Sequence, residues 1–181
     1  MTAIVRGLNI LALFAIVGLI AVAFWHELVR GQAACPLCLV QRAALLAAGF
    51  GFMLNARYGS AEHHYGIVIV SALVGAAAAL RQMLPQIVAG SAAPGPVLLS
   101  LHYSTWVLIV CAAAIFLSGV LLFLETQFME GVHDTRPGAV AQAVAWLFVI
   151  AAFAGAVAVL LQCGFGSCEE GTPGAGFLRR H

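Results

Sequence analysis

Lysine is missing altogether from this 181-residue chain, and charge of either sign is scarce: eight arginines and seven carboxylates, 8% of the residues. A soluble domain carries about 25% charged residues. With 63% of the residues hydrophobic, no packed core could hide the apolar surface, so lipid is the solvent for most of the chain. A net charge of +1 leaves no electrostatic case for a nucleic-acid partner, since that binding rests on neutralised phosphates. Long polar stretches are missing too, so little remains for a domain outside the membrane. One transmembrane domain over residues 1–181 is the expectation.

What is there instead is five apolar runs, at 7–25, 37–54, 65–84, 103–124 and 139–162. A bilayer core of about 30 Å takes about 20 helical residues. The runs are continuous rather than alternating, which reads as helix, and lipid admits only helices or closed barrels. The expected fold is therefore an all-α integral membrane bundle of about five transmembrane helices. The third run is the weakest, because Arg81 and Gln82 interrupt its end; long basic side chains can snorkel to the interface there. Joints at 57–64, 85–102 and 125–138 are short, so neighbouring helices run antiparallel. Pro85, Pro94, Gly95 and Pro96 break the second joint. Ser71, Gly75 and Ala79 recur at four-residue spacing; they either let the third helix pack closely on a partner or face lipid. Arg6, the first run and Ala21-Val22-Ala23 also resemble a cleavable signal peptide, although the run is long enough to span.

Arginine placement does not favour an inside N-terminus by the positive-inside rule. Cysteine placement does. Between Cys38 and Cys163 the chain crosses four times, so Cys35, Cys38, Cys163 and Cys168 emerge on one face. Persistent disulfides belong on the oxidising side, the periplasm in a bacterium. On that reading residues 163–181 are a periplasmic tail and the N-terminus is cytoplasmic.

Cys35-Pro36-Leu37-Cys38 stands at the lip of the second run. Proline is favoured at the first helical position, so a helix begins at Pro36 with Cys35 near its cap. The positive end of the helix dipole stabilises a thiolate there, and thiolate is the nucleophile of disulfide exchange. Arg42 lies one turn past Cys38 on the same face, placed to stabilise a thiolate or a developing oxyanion. The plainer alternatives are a loop staple or half of a metal site.

Cys35-x-Leu37-Cys38-x-x-x-Arg42, between a first and a second span, resembles the signature of the DsbB family, bacterial inner-membrane proteins that generate disulfides. Arg81-Gln82-Met83-Leu84-Pro85-Gln86 is similar to the polar end of that family's third helix. The resemblance implies a thiol oxidase that passes electrons from a periplasmic DsbA-like thioredoxin-fold protein to a membrane quinone, ubiquinone or menaquinone. It implies that Cys38 faces the quinone, Arg42 holds its carbonyl oxygen, and Cys35 exchanges with a second disulfide. The family's second cysteine pair lies between its third and fourth spans, where this chain has none. Here a fifth span ends in Cys163-Gly164-Phe165-Gly166-Ser167-Cys168. This tail pair is expected either to replace the missing pair as a shuttle or to staple the tail.

Cys111 reads as a small buried residue. Trp25 and Trp106 read as interfacial residues or as walls of a quinone site. His26 and His102 share their face, as surface residues or as a proton relay. Glu27 and Arg30 read as solvated, and His63 and His64 fall on the opposite face. Glu169 and Glu170 disfavour a thiolate at Cys168, which makes Cys163 the more reactive of its pair. Two other functions remain open: a tetrahedral zinc site built from four thiolates, and a quinol-driven reductase running the same chemistry backwards. A carrier moving reductant across the bilayer would need redox groups on both faces, and the second face has no cysteine.

Overall fold

Backbone N–H and C=O groups in hydrocarbon have no water to bond, so each apolar run closes its own ladder as a helix. The computed structural model describes residues 2–30, 35–89, 97–98, 101–128 and 138–163. Among them are α1 (Thr2–Arg30), α2 (Pro36–Tyr58), α3 (Glu62–Ala89), α4 (Tyr103–Phe128) and α5 (Ala139–Cys163). All five are long and apolar enough to cross a membrane, and the protein is a multi-pass all-α membrane bundle.

Helices α1 to α4 form the core bundle, with α2 on α1 and α3, and α4 on α3 and α1. Their inward faces bury Leu13, Ile16, Ile20, Leu45, Phe52, Val68, Ala72, Val107 and Cys111. Phe116 on α4 and Phe153 and Trp146 on α5 point outward with more than half of their surface open. In water that would be costly; in a bilayer these side chains meet acyl chains. Helix α5 leans on α1 and α2. Only 17% of its spanning segment is buried, against 39% for α2, so it is the peripheral member. A methyl at Gly49 would run into the Phe148 ring at 2.5 Å, and one at Gly155 would stand 3.4 Å from Phe24 of α1 and 4.0 Å from Leu46 of α2. These contacts make α5 antiparallel to α2, so its last residue, Cys163, lies at the end of the bundle where α2 begins.

The small-residue stripe on α3 is a packing face. At Gly75 an added methyl would stand 2.9 Å from the Cys111 sulfur and 3.2 Å from Ala44 Cβ, so α2, α3 and α4 converge there, and Ala79 is fully buried. Element boundaries differ from the sequence expectation in four places. Helix α1 runs to Arg30 rather than 25. The α2–α3 joint shrinks to Gly59–Ala61, with Gly59 at φ 97°, a conformation that favours glycine. Helix α3 continues through Pro85 to Ala89; the donor missing at proline falls just beyond the spanning segment Glu62–Leu84. Strands β1 (Val97–Leu98) and β2 (Leu101–His102) pair antiparallel in the α3–α4 joint, a hairpin too short to show alternation.

Candidate functional site

Cys35 is the N-cap of α2, in extended geometry (φ −70°, ψ 153°), and Pro36 takes the first turn as its spacing predicts. The Leu39 N–H closes the first helical bond on the Cys35 carbonyl at 3.1 Å. The Cys38 N–H donates to Cys35 Sγ at 3.2 Å, so a sulfur does the capping that a serine or aspartate oxygen usually does. Cys35 and Cys38 are joined in a disulfide with their Cα atoms 5.1 Å apart. Both are half-buried, at the positive end of the α2 dipole.

One turn on, Arg42 is inside the bundle with 9% of its surface exposed. Its guanidinium carbon stands 5.2 Å from the centre of the Phe24 ring of α1. This cation–π contact gives the charge an aromatic partner at the level of α2's second turn. From α3, the Gln82 side-chain N–H group faces both sulfurs, 3.8 Å from Cys35 Sγ and 3.7 Å from Cys38 Sγ. Gln82 Oε1 accepts from Gln41 Nε2 at 2.7 Å. Gln41 is fully buried, and its own Oε1 has no hydrogen-bond partner among the described residues. Thr105 Oγ1 of α4 approaches Met83 Sδ at 4.0 Å, tying the start of α4 to the same corner.

The sequence residues Cys35, Cys38 and Arg42 therefore meet at one corner. Sequence reasoning missed Gln41 and Phe24, and took Gln82 as an interruption of the third run and as part of the family-like stretch 81–86 without giving it a role. The available signal was an amide inside an otherwise apolar run, at 41 and again at 82, where lipid makes an idle polar side chain expensive. Trp25 is exposed, in keeping with an interfacial residue, whereas Trp106 packs against the core. His26 and His102 are half-buried. Cys111 is buried and free and packs on Gly75, as a small core residue does. Among the described residues no group of three or more His, Cys, Asp or Glu side chains could hold a metal ion; with their sulfurs bonded to each other, Cys35 and Cys38 are not two separate thiolates. Cys163 ends α5, and its side chain, the whole of Cys168, Glu169 and Glu170, and the side chains of Glu27 and Arg30 lie outside the described residues.

The opposite end of the bundle holds a second polar group. Asn55 Oδ1 accepts from the Ala61 N–H at 3.2 Å and from His64 Nδ1 at 2.9 Å. Asn9 Nδ2 donates to the Val5 carbonyl at 2.9 Å and to the Tyr65 hydroxyl at 3.0 Å, and that hydroxyl also pairs with Ser60 Oγ at 3.2 Å. These bonds fasten the α2–α3 turn to α1.

The family described as "Disulfide bond formation protein DsbB" matches residues 5–93, which is α1 through α3 and a few residues more. "Disulfide bond formation protein B" of Stutzerimonas stutzeri (strain A1501) is 35% identical over 93 residues, 49% of this chain and 57% of the relative. The protein of the same name from Nitrosomonas eutropha (strain DSM 101675 / C91 / Nm57) is 36% identical over 81 residues, 42% of this chain and 50% of the relative. The chain thus spans about half the length of the curated relatives it matches. No solved structure matches it.

Proposed function

We propose that this chain, which through residues 5–93 belongs to the DsbB family, oxidises protein dithiols at the outer face of a bacterial inner membrane and hands the electrons to a membrane quinone. The observation that carries the reading is the Cys35–Cys38 disulfide at the head of α2, with a buried Arg42 one turn deeper. Thiols at a helix cap stay within reach of water, while the cation one turn below them is enclosed in the bundle.

The side chains present suit a quinone. A buried guanidinium beside the Phe24 ring matches a flat, apolar molecule with carbonyl oxygens. Gln41 Oε1, a buried acceptor with no partner among the described residues, matches the hydroxyl of the reduced form. Arg42, Phe24 and Gln41 would hold the ring, with Cys38 as the nearer sulfur. The quinone, ubiquinone or menaquinone, supplies an acceptor for two electrons and two protons.

In the forward cycle a thioredoxin-fold partner of the DsbA type attacks the Cys163–Cys168 disulfide, leaves as a disulfide itself, and reduces that pair to two thiols. The tail dithiol then opens Cys35–Cys38 and closes again. Two electrons and two protons leave the Cys35–Cys38 dithiol for the acceptor, and its disulfide re-forms. Antiparallel packing of α5 on α2, with Cys163 ending α5 where α2 begins, supports the tail pair as the shuttle.

The test is anaerobic. Purified protein, a soluble quinone analogue and a reduced thioredoxin-fold dithiol are mixed, and quinone absorbance is followed. Bleaching is expected at one quinone per partner disulfide formed, and Cys38→Ser should abolish it. Absence of bleaching with the parent protein overturns the reading. Cys163→Ala should slow oxidation of the protein partner while leaving oxidation by quinone of a chemically reduced Cys35–Cys38 pair intact; partner oxidation at the parent rate removes the shuttle.

A further inference from the structure

Gln82 comes from a different helix, and yet it touches both atoms of the disulfide. Its Nε2 lies 3.7 Å from Cys38 Sγ and 3.8 Å from Cys35 Sγ, so the two hydrogens of one amide serve two sulfurs. Its Oε1 is held by Gln41 Nε2 at 2.7 Å, and Gln41 is fully buried. Turning the Gln82 amide over would set its carbonyl against sulfur lone pairs and its N–H group against the N–H group of Gln41. Turning both amides over would keep the bond between them but still face the sulfurs with an acceptor. Contact with sulfur therefore selects one orientation for both side chains.

The chemical consequence lies in how this contact changes with oxidation state. A disulfide sulfur is a weak acceptor, whereas a thiolate carries a full charge, and hydrogen bonds to ionised groups are roughly twice as strong as neutral ones. In a half-buried site the contrast is larger than in bulk water, because water screens it less. The amide therefore favours the open pair over the closed one. Taking the Cys35–Cys38 pair as redox-active, we propose that Gln82 makes this disulfide a stronger oxidant by hydrogen-bonding the thiolate released on reduction. Gln41 is the positioning residue that keeps the amide's N–H side toward sulfur. When a reducing dithiol opens the bond, two electrons enter, the reductant closes to its own disulfide, and the pair holds either two protons or one proton and one thiolate. Gln82 stabilises the second form, alongside the Cys38 N–H that already donates to Cys35 Sγ.

The test needs no quinone and no protein partner. Full-length protein is equilibrated anaerobically with dithiothreitol redox buffers at pH 7, trapped by alkylation, and read by mass spectrometry on the peptide holding Cys35 and Cys38. Gln82→Met keeps an unbranched side chain and removes the donor; it should lower the equilibrium constant for reduction about tenfold, a potential more negative by about 30 mV for a two-electron couple. Gln82→Glu keeps the shape and turns an oxygen toward sulfur; its shift should have the same sign and be at least as large. Gln41→Met should shift the equilibrium about threefold, and the iodoacetamide reaction of the reduced pair should slow in the same order. If Gln82→Met and Gln82→Glu melt with the parent yet hold the parent equilibrium within twofold, the role is overturned. Should one of them fail to fold, the other decides. A parent that bleaches no quinone while both variants shift the equilibrium keeps the Gln82 role and loses the quinone reading; the reverse pattern does the opposite.

Discussion

The two ends of this bundle are both polar and both built from side chains on α1, α2 and α3, but they spend their hydrogen bonds differently. At the end holding the α2–α3 turn, Asn55, Ser60, His64, Tyr65 and Asn9 bond chiefly to one another and to backbone. Asn9 Oδ1 and Asn55 Nδ2 stay without a partner among the described residues, but the bonds that do form hold a three-residue joint in place and lead to no reactive atom. At the other end, Gln41 and Gln82 form a chain that terminates on sulfur, and a buried arginine leans on an aromatic ring. There the polar groups converge on atoms that can change oxidation state. The contrast teaches that burial of polar groups does not by itself mark a site; what the donors point at does.

Substitutions at the two ends should therefore separate activity from stability. The largest effect is expected for Arg42→Met, which removes the buried cation while keeping most of the side-chain volume. Quinone reduction measured as kcat/KM should fall about 100-fold, the scale of losing one preorganised oxyanion donor. A fall of less than threefold would make Arg42 a packing residue and erase the distinction. Next comes Asn55→Ala, which orphans the Ala61 N–H and the His64 Nδ1 donor. Unfolding in detergent should show a loss of about 1 kcal/mol, the low end for stranded donors because these two are only partly buried, while the quinone rate per folded molecule stays at the parent value. A change in that rate would couple the two ends and break the comparison. An effect no larger is expected midway between them. Gly75→Ala pushes a methyl against the Cys111 sulfur and should cost about 1 kcal/mol, the low end for overpacking. Adding Cys111→Ala should return most of it, measured as a double-mutant cycle, with no change in quinone rate from Cys111→Ala alone.

Much of this could be read before the fold was known. Continuous apolar runs mark the helices because lipid leaves the backbone no other way to bond itself. Cys35, Pro36 and Cys38 mark a helix cap with two sulfurs, since proline's fixed φ and missing N–H suit that position and few others. Cys111 could be recognised as filler because a lone thiol in an apolar run has nothing to react with. The tail pair was legible as a motif, whereas its relation to Cys35 rests on counting crossings. Other features were hidden. A helix surrounded by lipid is apolar on every side, so hydropathy does not tell which face turns inward; only small residues such as Gly75 and polar ones such as Gln41 betray it. Proline at 85 reads as a stop, and yet α3 passes through it, because a missing hydrogen bond matters less where the helix leaves the apolar layer.

By itself, the order of residues determined that this chain holds five runs long and apolar enough to cross a membrane, and that two sulfurs and an arginine share the cap and first two turns of α2. Those properties follow from local chemistry: apolar side chains seek lipid, and a helix repeats every 3.6 residues. Only tertiary packing decided that Gln82, 44 residues beyond Cys38, and Phe24 on a third helix would close around that turn. Such neighbours come from how α1 and α3 seat their inner faces on α2, a fit of shapes that no local pattern encodes.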